Sequence, residues 1–388
     1  MPKKDFIPGH AVKFIHGGEE YFHCLEDVID SARHILHLQV YILENDPTGR
    51  KVVEALKRAA GRRVTVFLVV DGFGSASLGT SFEKEMKDSG IHFRFFSPLP
   101  FPGLLQAGRR LHHKVCVADQ RRALVGGINI ADKYRGSAEE KPWLDYALEA
   151  EGPVCAAIHA ACERVYHKRF SERLPGKISR LDMHEKVPGK IPVRMMMNDW
   201  VRRKNEISSS YKHMLNGAHR EMLVLASYFI PTRRLLKILV RAAKRGKSVS
   251  VILSRNSDVL LMKPAMHFLY DKLLSNGVRV FEYNESVLHA KVCVVDTQWV
   301  SVGSHNLNHL SELISIEMNL EVLDRDFGES VSLELKELMR NHCTEITPEA
   351  QARGSNLIRR FGHWLAFKII SLSMRLLYLL NMEDGPRR

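Results

Sequence analysis

Residues 112–129 read HHKVCVADQRRALVGGIN, and residues 289–306 read HAKVCVVDTQWVSVGSHN. The first follows H-x-K-x4-D-x6-G-G-x-N and the second H-x-K-x4-D-x6-G-S-x-N. His112, Lys114, Asp119, Gly127 and Asn129 therefore have counterparts in His289, Lys291, Asp296, Ser304 and Asn306. KVCVAD and KVCVVD are short runs rich in β-branched residues, which predicts buried strands. Side chains two apart on a strand share a face, so His112 points with Lys114 and His289 with Lys291. Val115, Val117, Val292 and Val294 are the packing residues among them. The small residues after the next strand let the backbone approach a bound phosphate, which predicts a phosphate loop at Gly127 and Ser304. Asn129 and Asn306 are placed to donate amide hydrogens to it.

Outward from the two motifs the chain repeats itself once. ARHILHLQVYIL, VVEALKRAAGRRVTVFLVVD and SGIHFRFF precede the first motif; AHREMLVLASYFI, LLKILVRAAKRGKSVSVILS and NGVRVFEY precede the second. Tyr41 matches Tyr228 and Gly90 matches Gly277, each at an offset of 187, whereas His112 and His289 differ by 177. The first unit thus carries an insertion of about ten residues before its motif. Strand runs alternate with amphipathic helical runs, which predicts an α/β layered fold with largely parallel sheets. Two such units should pack about a pseudo-twofold axis. The expected division is a first domain at 1–173, a linker at 174–190 with two Pro-Gly pairs, a second domain at 191–348, and a basic, apolar tail at 349–388.

The length of 388 residues suits two domains. A net charge of +13 favours anionic partners, nucleic acid or acidic lipid. Cys24, Cys116, Cys155, Cys162, Cys293 and Cys343 form no CxxC pair; their apolar surroundings predict reduced, buried thiols in a reducing compartment. No signal peptide is expected, and no run of about 18 uncharged apolar residues predicts a spanning helix.

Two histidines, two lysines and two asparagines facing one another suit a phosphodiester. One imidazole attacks phosphorus to give a phosphohistidine, and the other protonates the leaving alkoxide and later activates the incoming alcohol or water. The lysines and asparagines stabilise the equatorial oxygens, so no metal and no cofactor is expected. Each histidine needs a carboxylate to orient its second ring nitrogen, and each half offers one: Asp145 in WLDYALEAEG and Glu317 in SIEMNLEVLD. His113, which has Ala290 as its counterpart, is read as a packing or substrate-edge residue.

These residues resemble the phospholipase D superfamily over nearly the whole chain, whose fold is a pair of αβ(βα) sandwich domains with helices flanking mixed sheets. YILENDPTGR, VDGFGS, WLDYALEAEGP, ASYFIP and HNLNHLSELISIEMNLEVLD narrow the likeness to bacterial cardiolipin synthases of the shorter type, without N-terminal membrane helices. The resemblance implies transfer of a phosphatidyl group between two phosphatidylglycerol molecules, giving cardiolipin and glycerol. It implies His112 as the nucleophile, and structural roles for Asp119 and Asp296. The run Asn306-Leu307-Asn308-His309-Leu310-Ser311 departs from the family's NLDxRS-like run, which bears on the acceptor. A phospholipase D-type hydrolase and a nuclease-type phosphodiesterase are the alternatives. No nucleic acid is expected as partner, because aromatics are not interleaved with basic residues on a strand face. A lipid transferase must reach a bilayer, and two segments suit that: Leu99, Phe101, Leu104 and Leu105 beside Arg109 and Arg110, and a basic amphipathic helix over Asn356 to Met382. The expected location is the cytoplasmic face of the cell membrane, held peripherally.

Overall fold

A computed structural model describes residues 5–98, 109–168, 189–199, 204–308, 315–353 and 356–383. Nearly all of the expected linker 174–190, and Leu99, Phe101, Leu104 and Leu105, lie outside the described residues. The first unit runs β1 (Ile7–His16), α1 (Glu19–Ser31), β2 (Ile35–Val40), α2 (Pro47–Gly61), β3 (Thr65–Asp71), α3 (Thr80–Asp88), β4 (His92–Phe96), β5 (Arg110–Leu111), β6 (Lys114–Ala118), β7 (Arg122–Gly126), α4 (Asp132–Arg135), β8 (Tyr146–Glu151) and α5 (Val154–Tyr166). The second runs β9 (Ile191–Asp199), β10 (Lys204–Asn205), α6 (Glu206–Asn216), β11 (Glu221–Ala226), α7 (Arg233–Lys244), β12 (Ser248–Asn256), α8 (Met262–Leu274), β13 (Arg279–Val287), β14 (Lys291–Val295), β15 (Trp299–Gly303), β16 (Ser315–Leu323), α9 (Arg325–His342) and β17 (Cys343–Ile346). Two further helices follow, α10 (Pro348–Arg353) and α11 (Leu357–Glu383).

The repeat is visible in the strand order. The first unit pairs β4-β3-β2-β6-β7-β8-β1. The second pairs β13-β12-β11-β14-β15-β16-β9, with β17 added beyond β13. β1 also pairs with β9, which joins the two sheets. Within each unit's own sheet, among the described residues, the parallel strand pairs are β2-β3-β4 and β11-β12-β13; the neighbours on the other side are antiparallel. The sheets are therefore mixed, not largely parallel. The reason is the connections: helices α2, α3, α7 and α8 supply crossovers, whereas β6–β7 and β14–β15 are joined by tight turns that permit only antiparallel neighbours.

Capping residues begin the crossover helices where the sequence turns from polar to periodic. Asp46 accepts from Gly49 N at 2.8 Å ahead of α2, and Thr232 from Leu235 N at 3.3 Å ahead of α7. The apolar stripe of α2, Val52, Val53 and Leu56, covers one face of its sheet against Leu36, Leu38 and Val40. Leu235, Leu236 and Leu239 of α7 do the same over Val224 and Val251. The opposite faces share one core. Val115, Val117 and Leu148 of the first unit lie in one cluster with Val292, Val294 and Leu320 of the second, together with Ile158 of α5 and Leu335 of α9. All four motif valines are in that cluster, so the two motifs are brought together by the same burial that holds the units together.

The tail is a helix with two apolar aspects. On one side Ala366 is buried in the second unit, the Phe367 ring packs at a tilt against Phe268 of α8 with centroids 4.8 Å apart, and Arg360 pairs with Asp271 at 3.3 Å. Elsewhere on it Leu357 is 85% exposed, and Ile358, Phe361 and Leu372 are also exposed. No helix among the described residues is long and apolar enough to cross a membrane.

Candidate active site

The motif aspartates stand at the far ends of the hairpins. Asp119 and Gln120 have φ of 50° and 59°, and Asp296 and Thr297 have φ of 53° each, which tightens the turn. The Asp119 carboxylate accepts from the backbone N–H of Arg33 (2.7 Å), His34 (2.9 Å) and Ile35 (2.8 Å). Asp296 accepts from His219 (2.7 Å), Arg220 (2.7 Å) and Glu221 (2.9 Å). Each aspartate thus ties its hairpin to the start of the neighbouring strand, β2 or β11, at the end of the strand away from its histidine.

The histidine ends of the hairpins are exchanged between units. β5 pairs in parallel with the start of β16, and His112 N donates to Ile316 O at 3.0 Å. Leu144 bridges to Leu288, and His289 N donates to Leu144 O at 2.8 Å. Each motif histidine is therefore set beside the carboxylate of the other unit. His112 Nδ1 lies 2.9 Å from Glu317 Oε2, and His289 Nδ1 lies 2.7 Å from Asp145 Oδ2. A carboxylate only accepts, so Nδ1 carries the hydrogen and Nε2 is the nitrogen presented for chemistry. Sequence reading named both carboxylates without assigning either to a histidine; the pairing is crossed.

The lysines share this small, buried space. Lys114 Nζ donates to His112 O at 2.6 Å, and Lys291 Nζ donates to His289 O and sits 2.8 Å from His289 Nδ1. The repeated tyrosines flank the histidines, Tyr41 at 5.0 Å from the His112 ring and Tyr228 at 6.0 Å from that of His289. Tyr134 and Trp143 add an aromatic wall beside His289, at 5.3 and 6.0 Å. The His112 side chain is 15% exposed and that of His289 6%.

Burial governs the protonation of these groups. It pushes Lys114 down to about 7 and Lys291 to about 8, against the pull of Glu317 and Asp145. Burial and then Lys291 hold His289 at about 3, and burial lowers His112 as well. Glu317 is held at about 2: burial opposes its charge, and the charge and hydrogen bond of His112 outweigh burial. A consequence follows for pH. As pH rises through about 7 to 8 the free site loses the lysine charge that would hold a phosphate, so kcat/KM on a phosphodiester is expected to fall there. A profile flat through that window contradicts it. Stability runs the other way. Between the lowered lysine values and the usual ~10.4, the unfolded chain binds more protons, so these lysines make the empty protein more stable as pH rises.

Gly127 and Ser304, expected to cradle phosphate, have another contact. A Cβ at Gly127 would stand 2.4 Å from Asp145 Oδ1, and Ser304 Oγ donates to Glu317 Oε2 while accepting from Met318 N at 3.1 Å. Both positions thus serve the orienting carboxylates. Gly127→Ala is expected to displace Asp145 and lower activity about 100-fold with the fold intact; circular dichroism with a turnover assay checks it. Asn129, expected to donate to phosphate, donates instead to Tyr134 Oη at 2.8 Å and accepts from Ile42 N at 3.1 Å. Asn306 Oδ1 accepts from Ser227 Oγ at 2.8 Å. His113 is fully buried and bonded to Gln39 at 2.8 Å, which makes it a packing residue.

Sequence reasoning missed two anchors. Asp71 accepts from Leu111 N at 2.8 Å and pairs with Arg110 at 3.2 Å, fixing the strand that delivers His112. Ser254 Oγ accepts from Leu288 N at 2.9 Å, the equivalent tie before His289. A signal existed for the first, since Asp71 ends a strand in the quoted VDGFGS; Ser254 carries none.

A family profile described as "Cardiolipin synthase, PLD-like domain" matches residues 25–145 and 211–339. The chain is 32% identical over 349 residues to cardiolipin synthase B of Salmonella typhi, covering 87% of this chain and 82% of that one. It is 27% identical over 372 residues to cardiolipin synthase A of Pseudomonas putida, covering 94% and 76%. Among solved structures it is similar to phosphatidylserine synthase of Haemophilus influenzae, with a TM-score of 0.75, 14% identity and 97% of each chain covered. The latter likeness is one of fold.

Proposed function

The chain belongs to the phospholipase D-like cardiolipin synthase family, and from that membership we propose that it moves a phosphatidyl group from one phosphatidylglycerol to another. The observation that carries the reading is the crossed pair of histidine–carboxylate contacts, closed around two lysines inside one site. His112 is the proposed nucleophile: burial lowers its proton affinity, and its side chain is the more exposed of the two. Its Nε2 attacks phosphorus, the bond to the glycerol oxygen breaks, and His289 Nε2–H gives its proton to that oxygen. The negative phosphodiester, once bound, favours the protonated form of His289. In the second half a hydroxyl of the incoming phosphatidylglycerol returns a proton to His289, its oxygen attacks phosphorus, and the phosphorus–nitrogen bond breaks. The sum is two phosphatidylglycerols to one cardiolipin and one glycerol. Lys114 and Lys291 oppose the charge on the equatorial oxygens.

The same reading includes a peripheral seat on the cytoplasmic face of the cell membrane. The exposed face of α11 supports it, as do Val259, Leu260 and Leu261, of which Leu260 is 88% exposed. These three follow Asp258, whose carboxylate accepts from Tyr228 Oη at 2.7 Å, so an apolar projection adjoins the aromatic wall of His289. The cysteines are free and mostly buried, which suits a reducing compartment. Leu260→Asp with Ile358→Asp is expected to lower binding to phosphatidylglycerol vesicles about tenfold or more, as loss of roughly 1.5–3 kcal/mol per apolar side chain implies. Sedimentation checks it, and activity on a soluble short-chain substrate should be kept.

The function is tested by incubating the protein with phosphatidylglycerol vesicles and following lipids by mass spectrometry. Cardiolipin and glycerol in equal amounts are expected. Phosphatidic acid alone would make the protein a hydrolase, and cleavage of added nucleic acid without lipid turnover would overturn the lipid reading.

A further inference from the structure

Helix α5 carries His159 and Glu163, and His167 caps its C-terminal end; the four-residue spacing sets the three along one side. Strand β2 sets Leu36, Leu38 and Val40 into the outer core, and its alternation turns His37 and Gln39 toward α5. Donor atoms of His37, His159 and Glu163 lie within 4.8 Å of one another. His37 is fully buried, its Nε2 stands 2.9 Å from Glu163 Oε1 without hydrogen-bond alignment, and its Nδ1 has no partner. His159 Nδ1 is likewise buried and unpartnered. His167 Nε2 is 3.3 Å from Glu163 Oε2. His37 Nε2 faces the Glu163 carboxylate, and the Nδ1 atoms of His37 and His159 are buried without a hydrogen-bond partner; unsatisfied buried nitrogens are costly in the fold, and a cation shared with Glu163 relieves part of that cost.

We propose that His37, His159 and Glu163 bind a divalent transition metal of zinc's class, with His167 or water in the fourth position. Two imidazoles and a carboxylate are an ordinary zinc set, and small side-chain rotations bring such atoms to bonding distance. Glu163, 33% exposed, keeps the site open to entry. The metal's place is structural: it pins α5 to β2. Gln39, two residues from His37, donates to Cys162 O of α5 at 2.8 Å and bonds His113, the neighbour of His112. The sequence reading expected no metal because the lysines and asparagines meet the charge of the phosphate; the ligands proposed here come from segments more than a hundred residues apart, which no local spacing joins.

The test is zinc binding by the full chain after chelator treatment and dialysis, with zinc alone as probe and elemental analysis as readout. One zinc per chain is expected, with a dissociation constant at or below about 1 µM, and a higher unfolding temperature. Cobalt in its place should give visible bands of a tetrahedral nitrogen–oxygen site. His37→Asn with His159→Asn should abolish binding. Glu163→Gln, at a partly exposed position, should weaken it about 10- to 100-fold and decides the matter if the double variant does not fold. His112→Ala and His289→Ala should leave zinc binding unchanged. Absence of stoichiometric zinc, or zinc kept by Glu163→Gln but lost with His112→Ala or His289→Ala, overturns the proposal.

Discussion

His112→Ala and His289→Ala are each expected to lower phosphatidyl transfer by about 10⁴-fold or more, and the double variant to be little worse than either single one. The reason is that both rings serve one substrate phosphorus. Without the nucleophile no covalent intermediate forms, and without its partner the departing glycerol oxygen leaves as an alkoxide of high basicity. Two independent half-sites would behave otherwise, each single variant keeping about half the rate. The crossed strand contacts at Ile316 O and Leu144 O favour the shared site, because neither histidine is seated by its own unit alone. Initial rates of cardiolipin formation for the four proteins check the expectation.

Glu317→Gln and Asp145→Asn are expected to cost about 10³- to 10⁴-fold in kcat, with little change in KM, since an amide can bind Nδ1 in either tautomer and no longer fixes Nε2 as the reactive nitrogen. Glu317→Asp should recover part of the loss if it still reaches Nδ1. The crossing gives this prediction a readout that mere loss of stability would not move. Glu317 raises the proton affinity of His112, so removing its charge should lower the His112 titration further. The same holds for Asp145 and His289. Nitrogen-15 spectra of the two imidazoles should therefore show Glu317→Gln perturbing His112 first, and Asp145→Asn perturbing His289 first. The reverse assignment would contradict the crossed pairing.

Much of this was legible because the information is local. Histidine and lysine two apart, an aspartate at the following turn and a matching second copy are all short-range facts; the lysines begin β6 and β14 and the aspartates stand at the turns, whereas His112 and His289 lie just ahead of those strands. The repeat likewise foretold that two units share one architecture. What was not legible depends on contacts across the units. Asp145 and Glu317 could be named from alignment of the two copies, but the exchange that sends each to the other unit's histidine arises from β5 on β16 and Leu144 on Leu288. Gly127 reads from sequence as backbone freedom near an anion; the close approach of the Asp145 carboxylate is a tertiary fact. Asn129 offers the same amide to a phosphate or to Tyr134, and only packing shows the second. Alternating strands and helices in the first part of each unit suggest parallel pairing, and the hairpins that carry the motifs add the antiparallel pairs that make the sheets mixed. The composition of the tail suggests a surface helix, whereas burial of Ala366 and the Phe268–Phe367 contact fix one face to α8, with apolar residues elsewhere on the helix exposed.

The central claim is that one histidine carries the phosphatidyl group while the other manages its proton. It is tested most directly by exposing the wild-type protein and the His289→Ala variant to phosphatidylglycerol, stopping the reaction in alkaline denaturant, where a phosphorus–nitrogen bond survives, and mapping the peptides by mass spectrometry. The account expects a phosphatidyl adduct on the peptide holding His112, longer-lived in His289→Ala than in wild type and absent from His112→Ala. An adduct on His289 would exchange the two roles, and product formation without an adduct on either histidine would contradict the covalent route altogether.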